Sequence, residues 1–268
     1  MTRVRISFSP CPNDTFIFDA MIHQKIDTEG ITFEYRMADV EQLNRLAFLK
    51  QPEMTKVSYH AWLYLRSQYH LINSGSALGY GNGPLIISKS PFLMDELESR
   101  TIGIPGKFTT AHLLLKMAAP KVINKKILIF NEIEDAILRG NIDAGVIIHE
   151  NRFTYEKKGL IKILDLGEYW ENLTHAPIPL GGIVVRKDLG PVLTGKLERV
   201  MQRSVLFAMK YPDSSMDFVR KNAQEMEDEV LKKHIELYVN DFTVDLGMTG
   251  RIAIQKLEEY SIGFMANG

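Results

Sequence analysis

The chain is short of cysteine, of net charge and of long apolar runs, and each shortage excludes something. Cys11 is the one cysteine among 268 residues. A disulfide framework is therefore excluded, and so is a metal site built on cysteines. The formal net charge is -1, with no basic tract and no regular interleaving of basic and aromatic residues. A nucleic-acid binder would carry a visible basic footprint, so no nucleic-acid partner is expected. No apolar run approaches the ~18–20 residues that span a bilayer, so no membrane partner is expected either. The opening Met1-Thr-Arg-Val-Arg-Ile6 enters a strand directly and lacks the apolar segment of a signal peptide. These absences predict a soluble cytoplasmic protein. What is present is a hydrophobic fraction of 45%, enough for the core of one large domain or two medium ones.

Short apolar runs alternate with helical patterns. Strands are expected at 4–9, 31–36, 54–57, 71–72, 84–88, 101–104, 127–130, 144–148 and 181–186. Helices are expected at 15–23, 40–49, 59–66, 110–118, 132–139 and 151–158. Asn13 or Asp14, then Asp39, Ser58 and Thr109, stand where caps belong. Gly140 suits a left-handed helix stop. From 194 the pattern is helical to the end, with segments at 195–210, 214–222, 225–239 and 248–259. Strands alternating with helices predict an α/β fold with parallel sheets. The tail has too few strands for a domain of its own and is expected to pack on the N-terminal half. This gives two lobes, one of 1–88 plus 181–268 and an inserted one of 89–180. The cleft between them is the expected ligand site.

Chemistry concentrates at the carboxyl ends of strands, where open α/β sheets place ligands. His149 closes the apolar run 144–148. A histidine there either serves a ligand or only hydrogen-bonds locally, and the residues alone leave both readings open. Three strand-to-helix turns, at 9–15, 56–59 and 106–111, offer backbone N–H groups to an anion. They contain Pro10, Asn13 and Asp14, then Lys56 and Ser58, then Lys107, Thr109 and Thr110. Lys56 and Lys107 could add positive charge, although ordinary helix caps would look the same. Gly79-Tyr-Gly-Asn-Gly83 is no phosphate loop, because no Gly-Lys-Ser/Thr follows, and it is assigned to a hinge. The remaining histidines show no metal-ligand spacing, so no metal is expected.

Five motifs add specificity. They are Ser9-Pro-Cys-Pro-Asn-Asp-Thr-Phe16, Lys56-Val-Ser-Tyr-His60, Gly81-Asn-Gly-Pro84, Ile104-Pro-Gly-Lys-Phe-Thr-Thr110 and Ile148-His-Glu-Asn-Arg-Phe-Thr-Tyr155. In them, and over nearly the whole chain, the sequence resembles the 1,4-dihydroxy-6-naphthoate synthases of the futalosine route to menaquinone. The resemblance implies a two-lobed fold like the type II periplasmic binding proteins, with an interdomain cleft. It implies a lyase that splits cyclic dehypoxanthine futalosine, a carboxylated bicycle bearing a sugar, into 1,4-dihydroxy-6-naphthoate and dihydroxyacetone without a cofactor. The family's proton acceptor falls on His149, and its substrate contacts fall on Lys56, Val57, Ser58, Thr109 and Thr110. Pro10, Asn13 and Asp14 are further cleft candidates. A neutral imidazole with a reference pKa of ~6.5 can serve as the base. Two other readings stand beside this one. One is the sister pathway enzyme, chorismate dehydratase, against which the Ser9–Phe16 opening argues. The other is a cytoplasmic small-molecule binding protein without catalysis. The apolar content of the tail helices would allow a homodimer.

Overall fold

The structure is a computed structural model that describes residues 2–223 and 227–265. The expected helix start at Glu225 lies outside the described residues. Two sheets form the frame. The first holds β1 (Thr2–Phe8), β2 (Ile31–Met37), β3 (Met54–Ser58), β4 (Tyr69–Leu71), β5 (Ala77–Gly79) and β11 (Ile178–Arg186). The second holds β6 (Leu85–Ser88), β7 (Ile102–Ile104), β8 (Lys125–Ile127), β9 (Ala144–Ile147) and β10 (Ile161–Asp165). The strand order is β2-β1-β3-β11-β4 in the first, with β5 beside β11, and β10-β6-β9-β7-β8 in the second.

The sheets are mixed, not parallel as the alternation predicts. β1 runs parallel to β2 and β3, and β7 runs parallel to β8 and β9. β11 is antiparallel to β3, β4 and β5, while β6 is antiparallel to β9 and β10. The reason is geometric. The parallel strands end at the cleft, whereas β6 and β11 are the first strands after each crossing between sheets. A chain entering a sheet from its cleft edge must run against strands that leave there. Sheet membership puts the crossings at 80–84 and 175–177. We draw the lobe boundaries there, a few residues before the 88/89 and 180/181 expected from the pattern.

The helices are α1 (Pro12–Ile22), α2 (Val40–Phe48), α3 (Tyr59–Leu65), α4 (Thr110–Ala118), α5 (Ile133–Leu138), α6 (Asn151–Thr154), α7 (Leu166–Thr174), α8 (Gly190–Lys210), α9 (Asp213–Asn222), α10 (Asp228–Tyr238), α11 (Asp241–Val244) and α12 (Gly247–Met265). Asp39 caps α2, its carboxylate accepting from the amides of Glu41 and Gln42 at 3.0 and 3.1 Å. Thr109 caps α4 by accepting from the His112 amide at 3.2 Å. α1 differs from expectation. It starts at Pro12, with Cys11 as its N-cap and no side-chain cap bond. Proline fits the first position because the N–H it lacks would be unpaired there. Asn13 and Asp14 thus lie inside the helix. Ser58 occupies the cap position of α3 but makes no side-chain cap bond.

The tail packs back on the first lobe, with α8, α9 and α10 against α1. Phe8 and Phe18 stack there with ring centres 4.3 Å apart. A second buried cluster joins the lobes, running from Leu78 and Tyr59 through Ile86 and Leu114 to Trp170 and Leu257. Each such large side chain contributes roughly 1.5–3 kcal/mol on burial. This shared core spans both lobes beside the cleft. Among the described residues, no helix is long and apolar enough to cross a membrane.

Candidate active site

The cleft between the lobes holds a cavity of about 80 Å³ open to the centres of water-sized molecules, within about 650 Å³ of space that runs out into open solvent. The ends of β3, β9 and β11, the first turns of α1 and α4, and the 82–84 crossing line it. Among the residues singled out in the sequence, Lys56, Val57, Ser58, Asn13, Asp14, Thr109, Thr110 and His149 all reach this lining. Pro10, half-buried, is not among the lining residues. Lys107 is exposed and does not line the cleft.

Asp14 anchors the first-lobe wall. Its carboxylate accepts from the Ser9 hydroxyl at 2.7 Å, the Ser9 amide at 3.2 Å and the Asn13 amide group at 3.0 Å. The Lys56 ammonium lies 3.0 Å away and donates also to the Gly75 carbonyl at 3.1 Å. Two of its three N–H groups are therefore engaged inside the protein. Ser58 is held by Asn44, which accepts from the Ser58 amide at 2.9 Å and donates to its hydroxyl oxygen at 3.1 Å. The Ser58 O–H remains available as a donor.

Across the cleft, the first turn of α4 is clamped to the first lobe. Thr110 Oγ1 donates to the Leu180 carbonyl at 2.8 Å and accepts from the His60 amide at 3.3 Å. His60 Nδ1 lies 3.2 Å from the Thr109 carbonyl. Glu41, on α2, accepts from the Phe108 amide at 3.0 Å. Burial raises the pKa of its carboxyl, with that amide opposing the rise. Thr110 and Ala111 start α4, where unpaired amides and the helix dipole favour an anion.

His149 sits two residues beyond the end of β9, with φ +60. Left-handed backbone at a non-glycine residue is uncommon and concentrates at functional sites. Its ring meets Phe130 edge-on at 5.0 Å between centres. Nε2 is buried and has no hydrogen-bond partner. Burial lowers its pKa to about 4, with Asp14 pulling upward and Lys56 pulling downward. The imidazole is therefore neutral at pH 7. A neutral ring at a cleft wall can accept a proton.

The ring of His234, from α10, lies 6.3 Å from that of His149. His234 Nε2 is 2.9 Å from Asn13 Oδ1, and burial pushes its pKa well down. Cys11, His149 and Glu150 bring ligand-type atoms within 4.8 Å of one another. They are the group that could hold a metal ion among the described residues. The Cys11 thiol is buried, and its pKa is raised by burial and by Glu150 and Asp14, which keeps it protonated.

The sequence reading missed Asn82 and Tyr238, which line the cleft, and Asn44 and Glu41, which hold its walls. Asn82 lies in Gly79–Gly83, which the sequence assigns to a hinge. Tyr238 comes from the tail, and no local signal distinguishes it from a core tyrosine.

Comparison with known proteins agrees with this geometry. A family model described as menaquinone biosynthesis matches residues 4–261. A Thermus thermophilus protein named 1,4-dihydroxy-6-naphtoate synthase is 40% identical over 257 residues, covering 96% of this chain and 93% of that one. A Streptomyces coelicolor protein of the same name is 39% identical over 259 residues, covering 95% and 91%. A crystal structure from Archaeoglobus fulgidus superposes with a TM-score of 0.93 at 34% identity, covering 98% and 97% of the two chains. The alkanesulfonate-binding protein of Xanthomonas axonopodis shares the fold, with a TM-score of 0.69 at 13% identity over 89% and 84%. The expected two-lobed, periplasmic-binding-protein-like fold and the resemblance are thus both borne out, and the chain belongs to the menaquinone-biosynthesis family that includes the 1,4-dihydroxy-6-naphthoate synthases.

Proposed function

We propose that the chain is a lyase that converts cyclic dehypoxanthine futalosine to 1,4-dihydroxy-6-naphthoate and dihydroxyacetone. The observation that carries the reaction is near-full-length identity of 39–40% to two proteins named for that product. The site is compatible with the chemistry. The substrate carboxylate sits against the first turn of α4, at Thr110 and Ala111, where amides and dipole favour it. The Ser58 hydroxyl and the Thr109–Thr110 pair steady the bicycle.

His149 accepts a proton from a sugar hydroxyl. The carbon–carbon bond to the bicycle breaks, its electron pair passes into the ring system, and the proton is returned as the ring becomes aromatic. The two products together contain all atoms of the substrate, so the balance requires no oxidant. A base of this kind contributes typically ~10²–10⁴-fold. Walls clamped together at Glu41, His60 and Thr110 limit water at the reacting carbon.

The test is direct. Purified chain mixed with cyclic dehypoxanthine futalosine alone should release the naphthoate, followed by chromatography. Substrate recovered intact after prolonged incubation would overturn the proposal.

A further inference from the structure

Asn82 lies in the crossing between β5 and β6 and is 0% exposed. It lines the cleft, yet neither its Oδ1 nor its Nδ2 has a hydrogen-bond partner within the protein. Buried amides left in this state cost the folded protein free energy, and proteins usually avoid them. The neighbouring glycines show that the position is built. A Cβ at Gly79 would come within 2.9 Å of Asn82 Nδ2. A Cβ at Gly83 would fall 2.3 Å from the Gly167 Cα, so the loop is pressed onto α7. Arg152 Nη1 also donates to the Gly83 carbonyl. The glycines of this segment seat Asn82 against the cleft, a role the hinge expectation did not contain.

We infer that Asn82 recognises a pair of neighbouring hydroxyl groups on the ligand. One hydroxyl donates to Oδ1 and the other accepts from Nδ2, which satisfies both halves of the amide. A carboxylate would satisfy Nδ2 alone and set its own lone pairs against Oδ1. Asn82 is thereby the selector for the sugar end of the substrate, while the first turn of α4 takes the acidic end. This assignment rests on the proposed function, whose substrate bears a sugar.

The experiment compares two variants with the wild-type protein. Asn82→Leu removes both polar groups, and Asn82→Asp keeps the shape but loses the donor. Each should lower kcat/KM for cyclic dehypoxanthine futalosine about 10–100-fold, mainly through KM. Affinity for 1,4-dihydroxy-6-naphthoate, which lacks the sugar, should stay within about twofold, because the lost contacts are to the sugar alone. The free Asn82→Leu protein should melt no lower than wild type, since an unpaired buried amide has been removed. If Asn82→Leu fails to fold, Asn82→Asp carries the comparison. Unchanged kcat/KM in a folded variant overturns the inference and leaves the proposed function standing. Equal weakening of substrate and naphthoate overturns it as well. Failure of the wild-type protein to turn over the substrate overturns the proposed function and this inference with it.

Discussion

The Lys56 ammonium lies 3.0 Å from the Asp14 carboxylate, and side-chain exposure is 8% and 2%. The pair joins the end of β3 to the first turn of α1 at the cleft wall. Asp14→Ala would strand a buried cation and should destabilise the protein by about 3–5 kcal/mol. Replacing both partners, as Asp14→Leu with Lys56→Met, should cost less than the two single changes together. Urea denaturation measures both. A loss under about 1 kcal/mol in Asp14→Ala would mean that the pair is solvated and weak.

His149 carries the proton in the proposed reaction and a left-handed backbone in the structure. His149→Ala should cut turnover by ~10²–10⁴-fold while substrate affinity changes little. His149→Gly should be equally inactive, yet more stable than His149→Ala by about 1 kcal/mol, because glycine adopts φ +60 without a Cβ clash. Single-turnover kinetics and thermal melts read the two effects separately. Retained turnover in both variants would remove His149 from the chemistry.

Acid should act in two ways. With a pKa near 4, His149 stays unprotonated well below neutrality, so the acid limb of kcat/KM should fall near pH 4. An ordinary solvent-exposed histidine would put it near ~6.5. Stability follows the same groups. Burial lowers His60 and His112 to about 4 as well. The unfolded chain then binds more protons than the folded one between pH 6.5 and 4, so stability rises with pH across that window. A pKa moved from 6.5 to about 4 corresponds to roughly 3 kcal/mol at the acid end. Melting temperatures from pH 4 to 7 check the slope, and His60→Gln should flatten it.

Glu41 and Gly106 meet where the lobes touch. A Cβ at Gly106 would lie 2.4 Å from Glu41 Oε2, which accepts from the Phe108 amide. Gly106→Ala should cost about 1–3 kcal/mol through overpacking. The Glu41 Cβ would itself lie 2.6 Å from the new one, so only Glu41→Gly removes the obstacle, and the double variant Gly106→Ala with Glu41→Gly should lose less than the sum of the singles. Additive losses in a denaturant series would show that the two residues are not in contact.

Several features were legible in the sequence because they depend on near neighbours. Asp39 and Thr109 cap helices by bonds that span three residues or fewer, and Gly140 adopts φ +73 just after α5. The apolar run ahead of His149 is a buried strand, so its carboxyl end falls at the cleft. Other features were not legible. β10 and α7 lie in a stretch, 161–174, whose mixed polarity marks neither element. Their burial comes from pairing with β6 and packing of Trp170 into the interlobe core.

By itself the sequence determined the caps of α2 and α4, most of the apolar runs that become strands, and which ionisable side chains stand at strand ends. Those outcomes rest on propensities and hydrogen bonds that act within about a helical turn. Only the tertiary structure decided that β6 and β11 run against their neighbours and that Lys56 is committed to Asp14. Only it brought Asn82 into the cleft unpaired and set His234 against Asn13, 221 positions away in the chain. Contacts of that range are chosen by whichever packing buries the most apolar surface while leaving the fewest polar groups without partners, and no local pattern encodes that choice.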